Sequence, residues 1–173
     1  MVEPNTIYFV GSGPGDPELI TLKAKKLLEN ADVVVYSGSL LNPKLLEFAK
    51  KDATLHDAAL LDRTKIYEIL RDSTKQGKLA IRFHDGDPAL FSTIREQIDK
   101  LNLDGINCKV VPGITAILGA ASSLNLELTL PGITQTLIIT RAELRTPVPE
   151  GERISNLATH GATMAFYLSV HLI

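Results

Sequence analysis

Short apolar runs alternate with segments of helical periodicity along the first 111 residues. Each run has the length of one buried β-strand, and the segments between the runs carry apolar residues at helical spacing. The predicted strands cover residues 7–10, 33–36, 79–83 and 106–111. Strands separated by helices pair in parallel, because a parallel pair needs a long crossover connection. The sequence therefore predicts an α/β protein with a doubly wound parallel sheet.

The third run leads into a turn of small and acidic residues. Asp85 and Gly86 follow the predicted strand directly, and Pro88 opens a helical pattern that continues to about Leu103. Asp87 is placed to cap that helix at its N-terminus. Open α/β sheets bind ligands at the carboxyl ends of their strands, and a glycine there lets a ligand approach the backbone. An ordinary turn with a good helix cap would give the same pattern.

A glycine-rich turn follows the first strand. Its glycines are Gly11, Gly13 and Gly15, which do not have the spacing of a dinucleotide-binding loop. Pro14 removes a backbone donor, and Asp16 brings negative charge to the expected start of the next helix, where a phosphate would sit. We therefore reject a phosphate-binding loop and predict a rigid turn that approaches some other ligand.

The pattern changes at Pro112, and we place the domain boundary there, giving domains over 1–111 and 112–173. The elements predicted after it are a helix over 114–124, a strand over 136–140, a short helix over 152–159 and a strand over 163–170. The first helix has almost no charge and the last strand is apolar, so both are expected to be buried. These elements cannot cover both faces of a sheet. We expect a truncated second domain, or a partner that supplies the rest.

The charge and the cysteine content indicate which partners and which cellular compartment suit the chain. The 173 residues carry a formal net charge of −2, so no global basic field favours nucleic acid or an anionic membrane. No apolar run approaches the ~20 residues of a membrane helix. Cys108 is the single cysteine, which suits a reducing cytoplasm, and its strand context indicates a core residue. We expect a cytoplasmic protein without a metal site.

Several segments together resemble the tetrapyrrole methylase family. They are residues 10–24 around the glycine turn, 31–36, 85–91 and 111–116, in the family's order. Within the family, residues 37–43, 84–88, 128–131, 135–150 and 160–165 resemble the members that methylate carbon 11 of precorrin-4 in cobalamin (vitamin B12) biosynthesis. Any one segment is weak evidence, whereas the ordered series is specific.

The resemblance implies a homodimer of two-domain subunits that bind S-adenosyl-L-methionine and a tetrapyrrole in and beside the cleft between the domains. The cofactor contacts implied by the motifs are Pro14, Asp85, Gly86, Asp87, Leu90, Thr115, Ala116 and Leu168. The implied substrate contacts are Gly13, Gly15, Asp16, Arg141 and Arg145. Two departures stand out: family members are markedly longer, and Ser37 occupies a position where some relatives carry aspartate.

The implied reaction is displacement of the sulfonium methyl group by a ring carbon. Positioning in a water-poor site is then the main task of the protein, together with handling of one proton. The candidates for the proton are Asp16, His84, Asp87 and Glu143, and the sequence does not select among them. Two alternatives stay open. Another family member would methylate an RNA ribose or a modified histidine, and a truncated module would bind a tetrapyrrole or a partner without catalysis.

Overall fold

The computed structural model describes residues 3–143 and 147–172. It contains two compact units, Met1–Gly119 and Ala120–Ile173, each described here by itself. Within the described ranges, no helix has both the length and the apolar character needed to cross a membrane.

The first unit is built on a five-stranded parallel sheet. Its strands are β1 (Thr6–Gly11), β2 (Val33–Tyr36), β3 (Thr54–Asp57), β4 (Ala80–His84) and β5 (Asn107–Val111). Their order is β3-β2-β4-β1-β5, and every neighbouring pair is parallel. The four predicted strands are present. Strand β3 was not predicted, because its residues are polar or partly exposed and show no apolar run.

Three helices cover the two faces of this sheet, namely α1 (Leu22–Asn30), α2 (Arg63–Lys75) and α3 (Ile94–Leu103). A further helix, α4 (Ala116–Ser123), comes after β5 in the chain. One core cluster joins α1 and the 3-10 segment Pro43–Phe48 to one face of the strands. A second cluster joins α2 and α3 to the other face. Alternate strand residues enter the two clusters, as expected for a sheet buried on both sides.

Helix α3 begins six residues later than predicted, at Ile94 and not at Pro88. Phe91 and Thr93 have φ angles of 55° and 50°, and a right-handed helix cannot pass through residues in this left-handed region. Asp87 therefore caps a turn instead of a helix. Its carboxylate accepts the N–H of Ala89 at 2.7 Å.

Asp16 does not lie at the start of helix α1, contrary to the prediction. Asp16 caps the short 3-10 segment Pro17–Leu19 by accepting the N–H of Glu18 at 2.9 Å. Helix α1 begins only at Leu22, where the Thr21 hydroxyl accepts the N–H of Ala24. The negative charge of Asp16 is thus separated from the start of α1 by one additional turn.

The second unit contains the parallel pair β6 (Leu137–Arg141) and β7 (Thr163–Tyr167), with the short helix α5 (Ile154–Ala158) between them in the chain. Strand β7 ends before the predicted residue 170, because Leu168 has a φ angle of 55°. It is not buried on both faces as predicted: Ala165 is buried, but Phe166 is 48% exposed.

Helix α4, predicted to be buried all round, is only partly buried. Gly119 and Ala121 are buried, whereas Leu118 is 52% exposed. The buried positions of α4 are therefore small residues, and Gly119 lets the Pro14 side chain approach closely.

Candidate functional site

The loops that follow β1 and β4 form the candidate site. These strands are neighbours in the sheet, yet α1 and α3, which follow them, lie on opposite faces. The chain therefore continues onto opposite faces of the sheet after these two strands. In open α/β sheets such a switch point is where ligands bind.

Two glycines join the two loops. The N–H of Gly13 donates to the carbonyl of Gly86 at 3.1 Å, and the N–H of Gly86 donates to the carbonyl of Gly13 at 2.9 Å. The φ angles of Gly13 and Gly86 are 83° and 58°, in the region that favours glycine. The pair fixes the two loops at the carboxyl edge of the sheet.

Two further glycines allow the loop after β5 to reach the same point. A Cβ atom on Gly113 would overlap the carbonyl oxygen of Gly86 and lie 3.0 Å from the Cα atom of Gly11. A Cβ atom on Gly11 would lie 2.6 Å from the same oxygen. Asp87 completes the contact, because its carboxylate accepts the N–H of Gly113 at 3.0 Å. We call Gly11, Gly13, Gly86 and Gly113 the glycine junction.

Most of the predicted cofactor residues lie around this junction. Asp85, Gly86 and Asp87 follow β4 directly. A Cβ atom on Gly86 would lie 4.0 Å from the Cα atom of Thr115 and 3.9 Å from the nitrogen of Ala116, so the segments that hold these residues are neighbours. This spacing leaves the Gly86 backbone accessible to a ligand group.

The remaining predicted cofactor residues have different surroundings. Pro14 packs against α4, where a Cβ atom on Gly119 would lie 2.5 Å from the Pro14 side chain. The N–H of Leu90 closes the turn on the carbonyl of Asp87 at 3.2 Å. Leu168 belongs to the second unit, where it is exposed directly after β7.

The predicted substrate residues fall in both units. Gly13, Gly15 and Asp16 form the turn after β1, and the carbonyl of Gly15 accepts a hydrogen bond from the side-chain amide of Asn42 at 2.7 Å. Asn42 was not among the predicted site residues. In the second unit, Arg141 ends β6 and Glu143 is exposed two residues later. Arg145 lies outside the described residues.

His84, a candidate for proton transfer, is buried inside the first unit. Its ring stacks on that of Phe9, with centroids 6.1 Å apart. Its Nε2 atom has no hydrogen-bond partner among the described residues. Burial lowers the pKa of His84 to about 3, and the positive charge of Arg82 acts in the same direction. The imidazole is therefore neutral at physiological pH.

Because of His84, we expect the stability of the protein to fall more steeply as the pH decreases. Above its ordinary pKa of 6.5, the imidazole is neutral in both the folded and the unfolded chain. Below that pH the unfolded chain takes up a proton that the folded chain accepts only near its lowered pKa, so acid favours unfolding. In His84→Gln the melting temperature should fall less between about pH 7 and pH 4.5.

The control for this measurement is His160→Gln, which removes an exposed histidine of the second unit. Carboxylates titrate in the same range, and this variant retains their contribution. If the melting temperature of His84→Gln fell as steeply with decreasing pH as that of the wild-type protein, His84 would not be the buried, neutral group described here.

The chain is similar to known proteins in both sequence and structure. The family model described as tetrapyrrole (corrin/porphyrin) methylases matches residues 6–173, and the chain belongs to this family. A cobalt-precorrin-4 C(11)-methyltransferase of Methanocaldococcus jannaschii is 48% identical over 167 residues, which cover 96% of this chain and 64% of that protein. A precorrin-4 C(11)-methyltransferase of Pseudomonas aeruginosa is 45% identical over 165 residues, covering 95% and 66%.

Solved structures confirm the predicted fold class. The crystal structure of a cobalt precorrin-4 methyltransferase matches with a TM-score of 0.94 at 43% identity, covering 97% of this chain and 70% of that one. A uroporphyrin-III C-methyltransferase from Thermus thermophilus, in complex with S-adenosyl homocysteine, matches with a TM-score of 0.70 at 30% identity, covering 84% and 60%. The chain spans less than two thirds of the length of two of the curated relatives that it matches, including the Methanocaldococcus jannaschii protein.

Proposed function

We propose that the protein transfers a methyl group from S-adenosyl-L-methionine to carbon 11 of precorrin-4 or cobalt-precorrin-4 in cobalamin biosynthesis. The main support is the 48% identity with a cobalt-precorrin-4 C(11)-methyltransferase across 96% of the chain. The similarity includes the loops of the glycine junction, since the matched family region runs from residue 6 to residue 173.

The residues around Gly86 suit S-adenosyl-L-methionine. Its sulfonium and ammonium groups are cationic and its ribose hydroxyls are donors, so the carboxylates of Asp85 and Asp87 have suitable charge. Because Gly86 has no side chain, a ligand can lie directly against its Cα atom. Thr115 and Ala116 would border the same space, and Pro14 and Leu90 would add apolar contacts. For Leu168, a cofactor contact is implied by the family resemblance alone. When bound, the cofactor supplies an activated methyl group.

The proposed tetrapyrrole residues are those implied by the family resemblance. Gly13, Gly15 and Asp16 form the turn after β1, and Arg141 and Arg145 match the carboxylates of the substrate because guanidinium groups bind carboxylates bidentately. Among the candidates for proton transfer, Asp16 and Glu143 have exposed side chains. Asp87 is occupied by the N–H groups of Gly113 and Ala89, and His84 is buried.

We extend the proposal to a homodimer in the cytoplasm. The dimer is implied by the family resemblance. Burial raises the pKa of the Cys108 thiol to about 11, so this cysteine is a protonated packing residue. A chain whose lone cysteine is unreactive suits a reducing compartment.

Methyl transfer by the full-length protein tests the proposed activity directly. The protein would be incubated with S-adenosyl-L-methionine carrying a labelled methyl group and with cobalt-precorrin-4 or precorrin-4. The expected product carries one additional labelled methyl group at carbon 11, located by nuclear magnetic resonance. Transfer to another ring carbon, or no transfer to either substrate, would overturn the proposed function.

Replacement of Arg141 should weaken substrate binding. Losing a charge-assisted bond to a carboxylate is expected to raise the KM for the tetrapyrrole about tenfold or more in Arg141→Ala. The affinity for S-adenosylhomocysteine should not change. Arg145→Ala should behave in the same way. The matched control is Arg153→Ala, which removes an exposed arginine of the second unit. If Arg141→Ala had the same KM as this control, Arg141 would not be a substrate-binding residue.

A further inference from the structure

Strand β4 contains a buried cation that forms no salt bridge with any residue of the described ranges. Arg82 is 7% exposed, and its Nη1 atom donates to the carbonyls of Val35 at 3.0 Å and Phe83 at 3.3 Å. None of the described carboxylates forms an ion pair with it, and its buried Nε atom has no partner among the described residues. Burial lowers the pKa of Arg82 to about 10, although the charge of Asp85 acts against this. An uncompensated buried charge is costly and needs a reason.

The guanidinium group also holds the side chain of Ser37. The Oγ atom of Ser37 accepts a hydrogen bond from Nη1 of Arg82 at 3.3 Å. The hydroxyl proton of Ser37 must then point away from the cation, and no described residue accepts it. A hydroxyl that accepts from a cation in a water-poor environment becomes a stronger donor. Ser37 is only half-buried, so that donor is available to a ligand.

The turn that carries Ser37 is fixed beside the predicted tetrapyrrole residues. The N–H of Ser37 donates to the carbonyl of Phe83 at 3.0 Å. The carboxylate of Asp57 lies against the backbone of Gly38, where a Cβ atom would overlap it. Five residues after Ser37, Asn42 binds the carbonyl of Gly15. The turn is therefore attached to the glycine turn that we assign to the substrate.

We propose that Ser37 is a substrate-binding residue whose hydroxyl donates to a carboxylate of the tetrapyrrole, and that Arg82 is a positioning residue that orients and polarises this hydroxyl. The inference rests on the proposed function for the identity of the ligand. It explains a cation in an otherwise apolar strand, because the positive charge behind Ser37 favours an anionic group in front of it.

Ser37→Ala and its neighbour Ser39→Ala form a matched pair. Ser39 is exposed in the same segment and is not bonded to Arg82. Binding of cobalt-precorrin-4 to the full-length protein would be followed by absorbance titration, and S-adenosylhomocysteine binding by calorimetry. Ser37→Ala should weaken tetrapyrrole binding about tenfold, as for loss of a charge-assisted hydrogen bond. Ser39→Ala should not change it, and both variants should bind S-adenosylhomocysteine normally.

Variants of Arg82 test whether it acts through Ser37. Arg82→Met should weaken tetrapyrrole binding as much as Ser37→Ala does, and the double variant should bind no more weakly than either single variant, because the two changes remove one interaction. Arg82→Lys keeps the charge and should restore part of the affinity. Circular dichroism would verify folding, and Arg82→Lys replaces Arg82→Met in the comparison if the latter unfolds.

Three results would overturn parts of this account. Equal tetrapyrrole affinity of Ser37→Ala and wild-type protein would overturn the role of Ser37. Additive effects in the double variant would overturn the role of Arg82 as a residue acting through Ser37. Wild-type protein that binds cobalt-precorrin-4 but transfers no methyl group would overturn the proposed function, while the binding comparison would still decide the role of Ser37.

Discussion

Replacing Gly113 with alanine should destabilise the first unit by about 3 kcal/mol or more, because a methyl group there has no space. Its Cβ atom would overlap the Gly86 carbonyl oxygen and lie 3.0 Å from the Cα atom of Gly11. These obstacles are backbone atoms held by the hydrogen bonds between Gly13 and Gly86, so no side-chain rotation relieves the overlap. Urea unfolding of the variant and of the wild-type protein would measure this loss in the free energy of unfolding.

The control is Gly151→Ala, where no atom lies within 4 Å of the new methyl group. This exposed glycine should tolerate alanine within about 0.5 kcal/mol. Gly113→Ala should also weaken S-adenosylhomocysteine binding, because the loops move apart and the bond from Gly113 to Asp87 is lost. If Gly113→Ala were as stable as Gly151→Ala, the close packing of the glycine junction would be incorrect.

A second large effect is expected for Gly86→Val, which should abolish S-adenosylhomocysteine binding while the first unit stays folded. The Cβ atom would meet the nitrogen of Ala116 only at 3.9 Å, an ordinary contact. The two methyl groups of valine would project beyond it and occupy the space proposed for the cofactor. The φ angle of 58° adds strain for a β-branched residue.

Gly105→Val separates this strain from the effect on the site. Gly105 has a φ angle of 73° and no atom within 4 Å of a new Cβ atom, so valine there carries similar backbone strain away from the glycine junction. Both variants should lose similar stability, and only Gly86→Val should lose ligand binding by calorimetry. Native affinity in Gly86→Val, with unchanged circular dichroism, would mean that Gly86 serves only the turn.

Four of the five strands of the first unit could be predicted because apolar runs encode them locally. The start of α3 could not, since Phe91 and Thr93 adopt left-handed conformations without being glycines. Strand β3 was missed because it pairs only with β2 and is not buried enough to require an apolar run.

The assembly of the candidate site depends on contacts that no local pattern contains. Gly13 and Gly86 were each predicted to approach a ligand, but their pairing joins positions far apart in the chain. The role of Gly113 depends on the same long-range contact. Arg82 did give a local signal, as a charge within an apolar run, because buried charges are rare without a partner. Its partner Ser37 became evident only from the structure.

The glycine junction would also set the order in which the protein acquires its proposed ligands during synthesis. Gly113 follows β5, the last strand of the first sheet to leave the ribosome. Until that strand is paired with β1, Gly86 and Asp87 lack their contacts with Gly113. A nascent chain that ends before this point has most of the sheet but not the site. A ligand that binds this site would therefore bind only chains in which β5 is paired with β1. It could stabilise only those chains against unfolding.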